Sequence, residues 1–323
     1  MNQKEGILVK CGGFSTQLSK HVNEAIDGDP LWSARYDVTH PDAVIRTHLD
    51  FLENGADIIL SNTYQASVEG FMKHLNLTRE ESIDVMKNSV RLAKRAREIF
   101  LETNSPKETG LPLVMASIGP YGAHLCDKSE YRGSYDESVT NDVMRDWHRV
   151  RIEACLSEGV DGLSIETIPC QKEAETVVDL LCDEFPNTKF WVSFQCKDQE
   201  HLAHGQKFKD AFLSIQQRLE EKSATNNCMA IGVNCVDPKI VASLFKSVQD
   251  KNIPFIVYSN RGEEFDEQNG WTGAEKCVPL ATFVPEWSQL GAKIIGGCCR
   301  VYPSDILSIR KCIDDLSKTI ITS

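Results

Sequence analysis

Cys235 closes the run Ala230-Ile231-Gly232-Val233-Asn234-Cys235, and the vicinal pair Cys298-Cys299 follows Ile294-Ile295-Gly296-Gly297. Both cysteine groups stand where a short apolar run gives way to polar residues. If the two runs lie side by side as strands, three thiolates converge on one point. Three sulfurs with one open position is a way to hold Zn²⁺ and leave room for a substrate. The plainer reading is three reduced core cysteines, the commonest fate of free Cys. The separation of the two groups matches no local zinc-finger pattern, so the fold has to decide between them.

Zinc with three thiolates carries one surplus negative charge, which makes it a poor Lewis acid toward water. It is better suited to take an incoming thiol as fourth ligand. A free thiol is only a few per cent ionised near neutral pH. Coordination removes its proton, and the surplus charge keeps the sulfur electron-rich. The chemistry this favours is transfer of an electrophilic group onto sulfur, with alkyl transfer the simplest case. The chain holds 8 His but no His-Glu-x-x-His pattern, which argues against a metalloprotease.

Something must bring such residues together. Eight short apolar runs read as strands: Ile7-Leu8-Val9, Ile58-Ile59-Leu60, residues 113–116, 162–165, 190–194, 229–233, 255–258 and 293–295. Helical patterns fall between most of them. Thr78-x-x-Glu81 is a capping box that opens a helix running to about residue 102. Asp237-Pro238 and Pro303-Ser304-Asp305 are further helix starts. A near-repeat recurs at Gly55-Ala56-Asp57, Gly159-Val160-Asp161 and Gly291-Ala292-Lys293, each between a helix and an apolar strand. There the glycine supplies a left-handed helix cap. Short runs buried on both faces and alternating with helices predict a parallel sheet. Eight of them predict a closed (β/α)₈ barrel of the TIM type, with its active site at the C-terminal ends of the strands. The long loops, residues 119–136, 196–206 and 260–285, would ring that end. No linker or low-complexity segment divides residues 1–323, which reads as one domain.

On this frame the polar strand ends share a rim. They are Cys11-Gly12-Gly13, Asn62-Thr63-Tyr64, Ser117, Glu166, Asn234-Cys235, Ser259-Asn260 and Cys298-Cys299. That convergence favours the zinc reading. Glu166 is placed to hold a substrate ammonium, or else is a structural cap. Gly12-Gly13 is a tight turn or a small nest for a carboxylate. It lacks Gly-x-Gly-x-x-Gly spacing, so no dinucleotide site is expected. Cys11 and Asn234 belong to the same expected substrate contacts. Tyr64, Tyr121, Tyr131, Phe265 and Trp271 fall in rim loops, as packing residues or as faces for a sulfonium donor.

Composition narrows the partners. The net charge is −12, which disfavours a nucleic-acid surface. No apolar run approaches the length of a membrane span, and the N-terminus lacks a signal-peptide core. Twelve Cys in such a chain indicate reduced thiols or metal in the cytoplasm. The expected partners are small molecules alone, with the protein a monomer or weak homo-oligomer.

The chain resembles the zinc-dependent homocysteine S-methyltransferase family, nearly end to end. The resemblance is carried by Gly12-Gly13-Phe14-Ser15-Thr16-Gln17-Leu18, Pro30-Leu31-Trp32-Ser33-Ala34, Ser61-Asn62-Thr63-Tyr64-Gln65-Ala66-Ser67 and Ser117-Ile118-Gly119-Pro120-Tyr121-Gly122-Ala123. It continues through Ser129-Glu130-Tyr131-Arg132-Gly133, Glu166-Thr167-Ile168-Pro169, Gly232-Val233-Asn234-Cys235 and Gly296-Gly297-Cys298-Cys299-Arg300. It implies zinc on Cys235, Cys298 and Cys299, with homocysteine entering as fourth ligand and leaving as methionine. Glu166 resembles the family's anchor for the amino group, and Gly12-Gly13 its carboxylate site. One departure is Cys11, where the family usually carries Asp as a second amino-group anchor. The chain resembles the compact branch that uses S-methylmethionine as donor. An acceptor such as selenocysteine is the alternative enzymatic reading. A non-catalytic barrel that stores zinc or senses redox state is the alternative from another class, and the presence of Glu166 speaks against it.

Overall fold

The computed structural model describes residues 6–105, 110–266 and 270–321, with side chains left out at 264–266 and 319–321. Eight parallel strands form the barrel: β1 Leu8–Val9, β2 Ile58–Leu60, β3 Leu113–Ile118, β4 Gly162–Ile168, β5 Phe190–Phe194, β6 Cys228–Asn234, β7 Phe255–Ser259 and β10 Ala292–Gly297. Between β7 and β10 the chain makes an antiparallel hairpin, β8 Glu264–Asp266 and β9 Gly270–Thr272, in what the sequence reads as plain loop. The ladder runs β1-β10-β7-β6-β5-β4-β3-β2. A single parallel bridge, Lys10 to Ile58, joins its two ends. Asp57 N donates to Val9 O at 2.7 Å and Cys11 N to Ile58 O at 2.8 Å across that seam. The expected (β/α)₈ architecture is present.

The expected strands agree with the observed ones to within a few residues, because buried apolar runs have little alternative to pairing. β3 and β4 run on past the apolar residues, to Ile118 and Ile168. The expected helix after Thr78 spans Arg79–Thr103, and its capping box forms, with Glu81 N on Thr78 Oγ1 at 3.2 Å and Thr78 N on Glu81 Oε2 at 2.8 Å. The three repeated glycines take φ values of +97°, +68° and +101° at positions 55, 159 and 291. Only Gly adopts these without strain, so each helix is stopped and the chain is turned into the next strand.

The near-repeat has a second function. Asp57 Oδ2 accepts from Val9 N at 2.8 Å and pairs with Arg310. Asp161 Oδ2 accepts from Val114 N at 2.7 Å and from Arg97 Nη1 at 2.7 Å. At the start of β2 and β4, an aspartate thus satisfies the neighbouring strand's amide and holds a cation from an outer helix. Inside the barrel, Tyr258 OH meets Ser193 Oγ at 2.5 Å and Trp191 Nε1 at 3.2 Å. This satisfied polar layer lies in an otherwise apolar core that includes Val192, Ile231 and Val257. Replacing Asp57 with Ala leaves Arg310, at a largely buried site, with only the exposed carboxylate of Asp314 at 3.5 Å. The expected loss is about 3 kcal/mol of stability, read as a lower urea midpoint with an unchanged slope.

Candidate metal centre

The two cysteine runs are not neighbouring strands. β7 lies between β6 and β10 in the ladder, so the expected side-by-side arrangement is corrected to one strand apart. The gap is bridged from the end of β7. Asn260 Nδ2 donates to Cys235 O at 3.1 Å, and Asn260 Oδ1 accepts from Cys299 N at 3.1 Å. Cys298 N donates to Ser259 O at 2.8 Å and Cys235 N to Tyr258 O at 3.1 Å. Cys235 itself has φ +55°, a left-handed conformation unusual for a residue with a side chain. Such a position costs energy and persists only where the surroundings enforce it, commonly at functional sites.

The three thiol sulfurs lie within 4.8 Å of one another, and Cys235 Sγ is 3.7 Å from Cys299 Sγ. Tetrahedral zinc–sulfur bonds of about 2.3 Å require sulfurs about 3.8 Å apart. The donor set and its spacing therefore fit a metal ion with one open position. Without a cation the sulfurs cannot all be ionised. Thiol hydrogen bonds from Cys235 and Cys299, helped by Lys10, hold the Cys298 thiol well below its usual range. The Cys235 thiol is pushed up by its bonds to Cys298 and Cys299 and by burial. Cys299 is pushed up too: its bond with Cys235 acts downward but is outweighed by Cys298 and burial. The three thiols therefore titrate as one coupled group, in which a charge on one opposes ionisation of the others.

The cysteines form one wall of a pocket open to solvent, which Cys11, Gly12, Gly13 and Glu166 also line. Glu166 ends the regular part of β4, where the register with β5 shifts between Ile165 and Ile168 and Thr167 takes φ +60°. That irregularity aims the carboxylate into the pocket. Glu166 accepts from Ser117 Oγ, and burial, opposed by Lys10, raises its carboxyl above the usual range. Asn234 is absent from the pocket wall, and its amide is spent within the fold. Oδ1 accepts from Thr167 N at 2.7 Å, and Nδ2 donates to Thr167 Oγ1 at 2.8 Å. Asn234 thus fixes the irregularity that places Glu166.

The glycine pair is a close-approach turn. A Cβ at Gly13 would lie 2.5 Å from Cys298 O, and one at Gly12 2.4 Å from Val301 O. The Gly13 amide donates to Val301 O at 2.9 Å, so it is not available to a ligand. Cys11 is buried, and burial raises its thiol above the usual range.

Of the rim aromatics, Tyr64 and Tyr131 line the pocket, joined by Trp32. The Trp32 and Tyr64 rings meet edge to face at 6.0 Å. Tyr131 shares the pocket wall with Cys235 and Cys299. Tyr121 turns away and packs on His124, Tyr135 and Trp147. Trp271 lines an adjoining cleft, where the Arg300 guanidinium lies 5.9 Å from its ring. The Phe265 side chain lies outside the described residues.

Two contributors escape the sequence reading. Lys10 is almost fully buried on the pocket wall. A lysine that ends an apolar run reads as a surface cap, although its place continues a buried strand. Arg151 is buried on the helix Asn141–Leu156 and donates to Thr63, Tyr64, Ala66 and Gly119 carbonyls at 2.8–3.0 Å. It ties the loop that carries Tyr64 to the loop after β3, and nothing in its spacing announces this. Replacing Asn260 with Ala removes the tie between Cys235 and Cys299. The expected result is metal affinity lowered about 10–100-fold, the usual cost of losing a group that orients ligands, measured by competition with a chelator.

Comparison with known proteins follows the same lines. The family model described as Homocysteine S-methyltransferase matches residues 8–313. Betaine-homocysteine S-methyltransferase of Drosophila melanogaster is 55% identical over 317 residues, covering 96% of this chain and 95% of that protein. Homocysteine S-methyltransferase 1 of Arabidopsis thaliana is 39% identical over 316 residues, covering 95% and 93%. The metallated form of the homocysteine methyltransferase MmuM from Escherichia coli superposes with a TM-score of 0.81 at 33% identity, covering 95% of this chain and 96% of that one. The apo form of the same protein gives 0.72. With cysteines gathered at the mouth of a (β/α)₈ barrel and relatives matched over nearly their full length, the chain belongs to the homocysteine S-methyltransferase family of enzymes.

Proposed function

We propose that the protein methylates the thiol of homocysteine to give methionine, using zinc held by Cys235, Cys298 and Cys299. The observation that carries this reading is the presence of three sulfurs at metal-binding spacing and of Glu166 in one pocket. When bound, zinc supplies a centre that holds an incoming thiol deprotonated at neutral pH. Glu166 receives the ammonium of the amino acid and turns its side chain toward the cysteines. The homocysteine sulfur then attacks the donor methyl carbon in line. The bond from that carbon to the donor breaks, and the donor leaves as a neutral molecule with the electron pair. No protein acid has to protonate it.

The donor is a cation, and the pocket offers it aromatic faces at Trp32, Tyr64 and Tyr131. A positive methyl donor is attracted to such faces and loses that attraction as its charge is transferred away. S-methylmethionine is the donor we favour, since a sulfonium releases a neutral thioether. Betaine is the second reading, favoured by the name of the fly relative. Twelve free cysteines are consistent with a reducing cytosol, and among the described residues no helix is long and apolar enough to cross a membrane.

Purified protein should carry one zinc per chain, and Cys235→Ser should lose both the metal and methionine formation. Full activity after exhaustive chelation would remove zinc from the mechanism. Initial rates with homocysteine and either S-methylmethionine or betaine identify the donor, with the sulfonium expected to be faster. A faster rate with betaine would reverse that assignment.

A further inference from the structure

A buried cation lies beside the cysteines and Glu166 and its charge acts on both, but the acceptor chemistry described so far gives it no ligand. Lys10 is 3% exposed. Its Nζ donates to Gly297 O at 3.0 Å and Gly12 O at 3.4 Å, and lies 4.5 Å from the centre of the Tyr258 ring. Among the described residues it forms no ion pair with a carboxylate. Buried charges are otherwise paired, because desolvating an ammonium is costly. An ammonium has three N–H donors; the two carbonyls take two, and beside the third stands only the Cys11 thiol, a weak acceptor that a carboxylate would displace. Those carbonyls belong to the glycine turn and to the residue just before Cys298, so the charge stands between the turn and the metal centre.

The pocket needs a cation there. Three thiolates with zinc leave one surplus negative charge, and Glu166 adds another. The carboxylate of an incoming amino acid is repelled by both. The expected receptor, the Gly12-Gly13 turn, has its second amide committed to Val301 O. We propose that Lys10 receives the carboxylate of the acceptor amino acid while Glu166 holds its ammonium, so that the two fix both ends of the head group. This inference rests on the homocysteine reading above and adds a specificity-determining residue to it.

The test compares the product methionine with 3-(methylthio)propylamine, which keeps the ammonium and thioether but lacks the carboxylate. Calorimetry on the zinc-loaded protein should show methionine binding at least about tenfold tighter, the scale of one charge-assisted hydrogen bond. Lys10→Met should erase that difference and raise the KM for homocysteine by a similar factor, leaving the donor KM unchanged. Equal weakening of both ligands, or no weakening of either, would overturn the proposal. Should Lys10→Met fail to fold by thermal melting, the wild-type comparison still decides: no preference for the carboxylate overturns it. If wild-type protein neither binds methionine nor turns over homocysteine, the homocysteine reading itself has failed. Normal turnover with an unaffected Lys10→Met sinks only the role of Lys10.

Discussion

Three sulfur atoms held within 4.8 Å of one another in a largely buried place are the constraint on which the structure turns. Such a cluster can bear one negative charge among its members, or more if a cation joins them. The fold accepts a cost to build it. Cys235 is kept in a left-handed conformation, Asn260 is spent on two backbone groups, and the ends of β6, β7 and β10 are laced together by amides. None of these would be needed to pack three thiols as ordinary core residues. The geometry is what a soft divalent ion requires, with one direction left open toward the pocket.

The two ends of the barrel divide the work. At the strand starts, Asp57 and Asp161 tie amides and arginines together and maintain the architecture. At the strand ends, polar groups are aimed inward by irregularities that regular strands would not provide. The register shift in β4, fastened by Asn234 to Thr167, is the clearest example. Arg151 reaches from an outer helix to hold two rim loops in place. Stability and chemistry are thus assigned to opposite faces, as is general for this architecture.

Much of the frame was legible in the sequence because its signals are local. Apolar runs, a capping box and three capping glycines each carry their own physics and need no partner to be read. The cysteines were legible as a group, but the adjacency assumed for their strands was not, since strand order is a property of closure and not of spacing. Asn234 illustrates the limit on single residues. Its place beside Cys235 indicated a substrate contact, whereas its two amide hydrogen bonds go to Thr167. Tyr121 likewise belongs to a rim loop yet faces His124 and Trp147. Side-chain direction in a loop is set by tertiary packing, which no periodicity encodes. Lys10 was missed for the opposite reason, because a charged residue at a strand end has an ordinary explanation that burial alone removes.

The barrel is joined unevenly. β1 contributes only two ladder residues, and the contact that shuts the ring is a lone bridge between Lys10 and Ile58. Lys10, Cys11 and the glycine turn all hang from this weakest stave, while the cysteines stand on β6 and β10, which are far better supported. The metal side of the cavity thus stands on long, well-paired strands, and the glycine-turn side on the short one. The pocket therefore straddles the seam of the cylinder, with Cys11 on one side of it and Leu60 and Ser61 on the other.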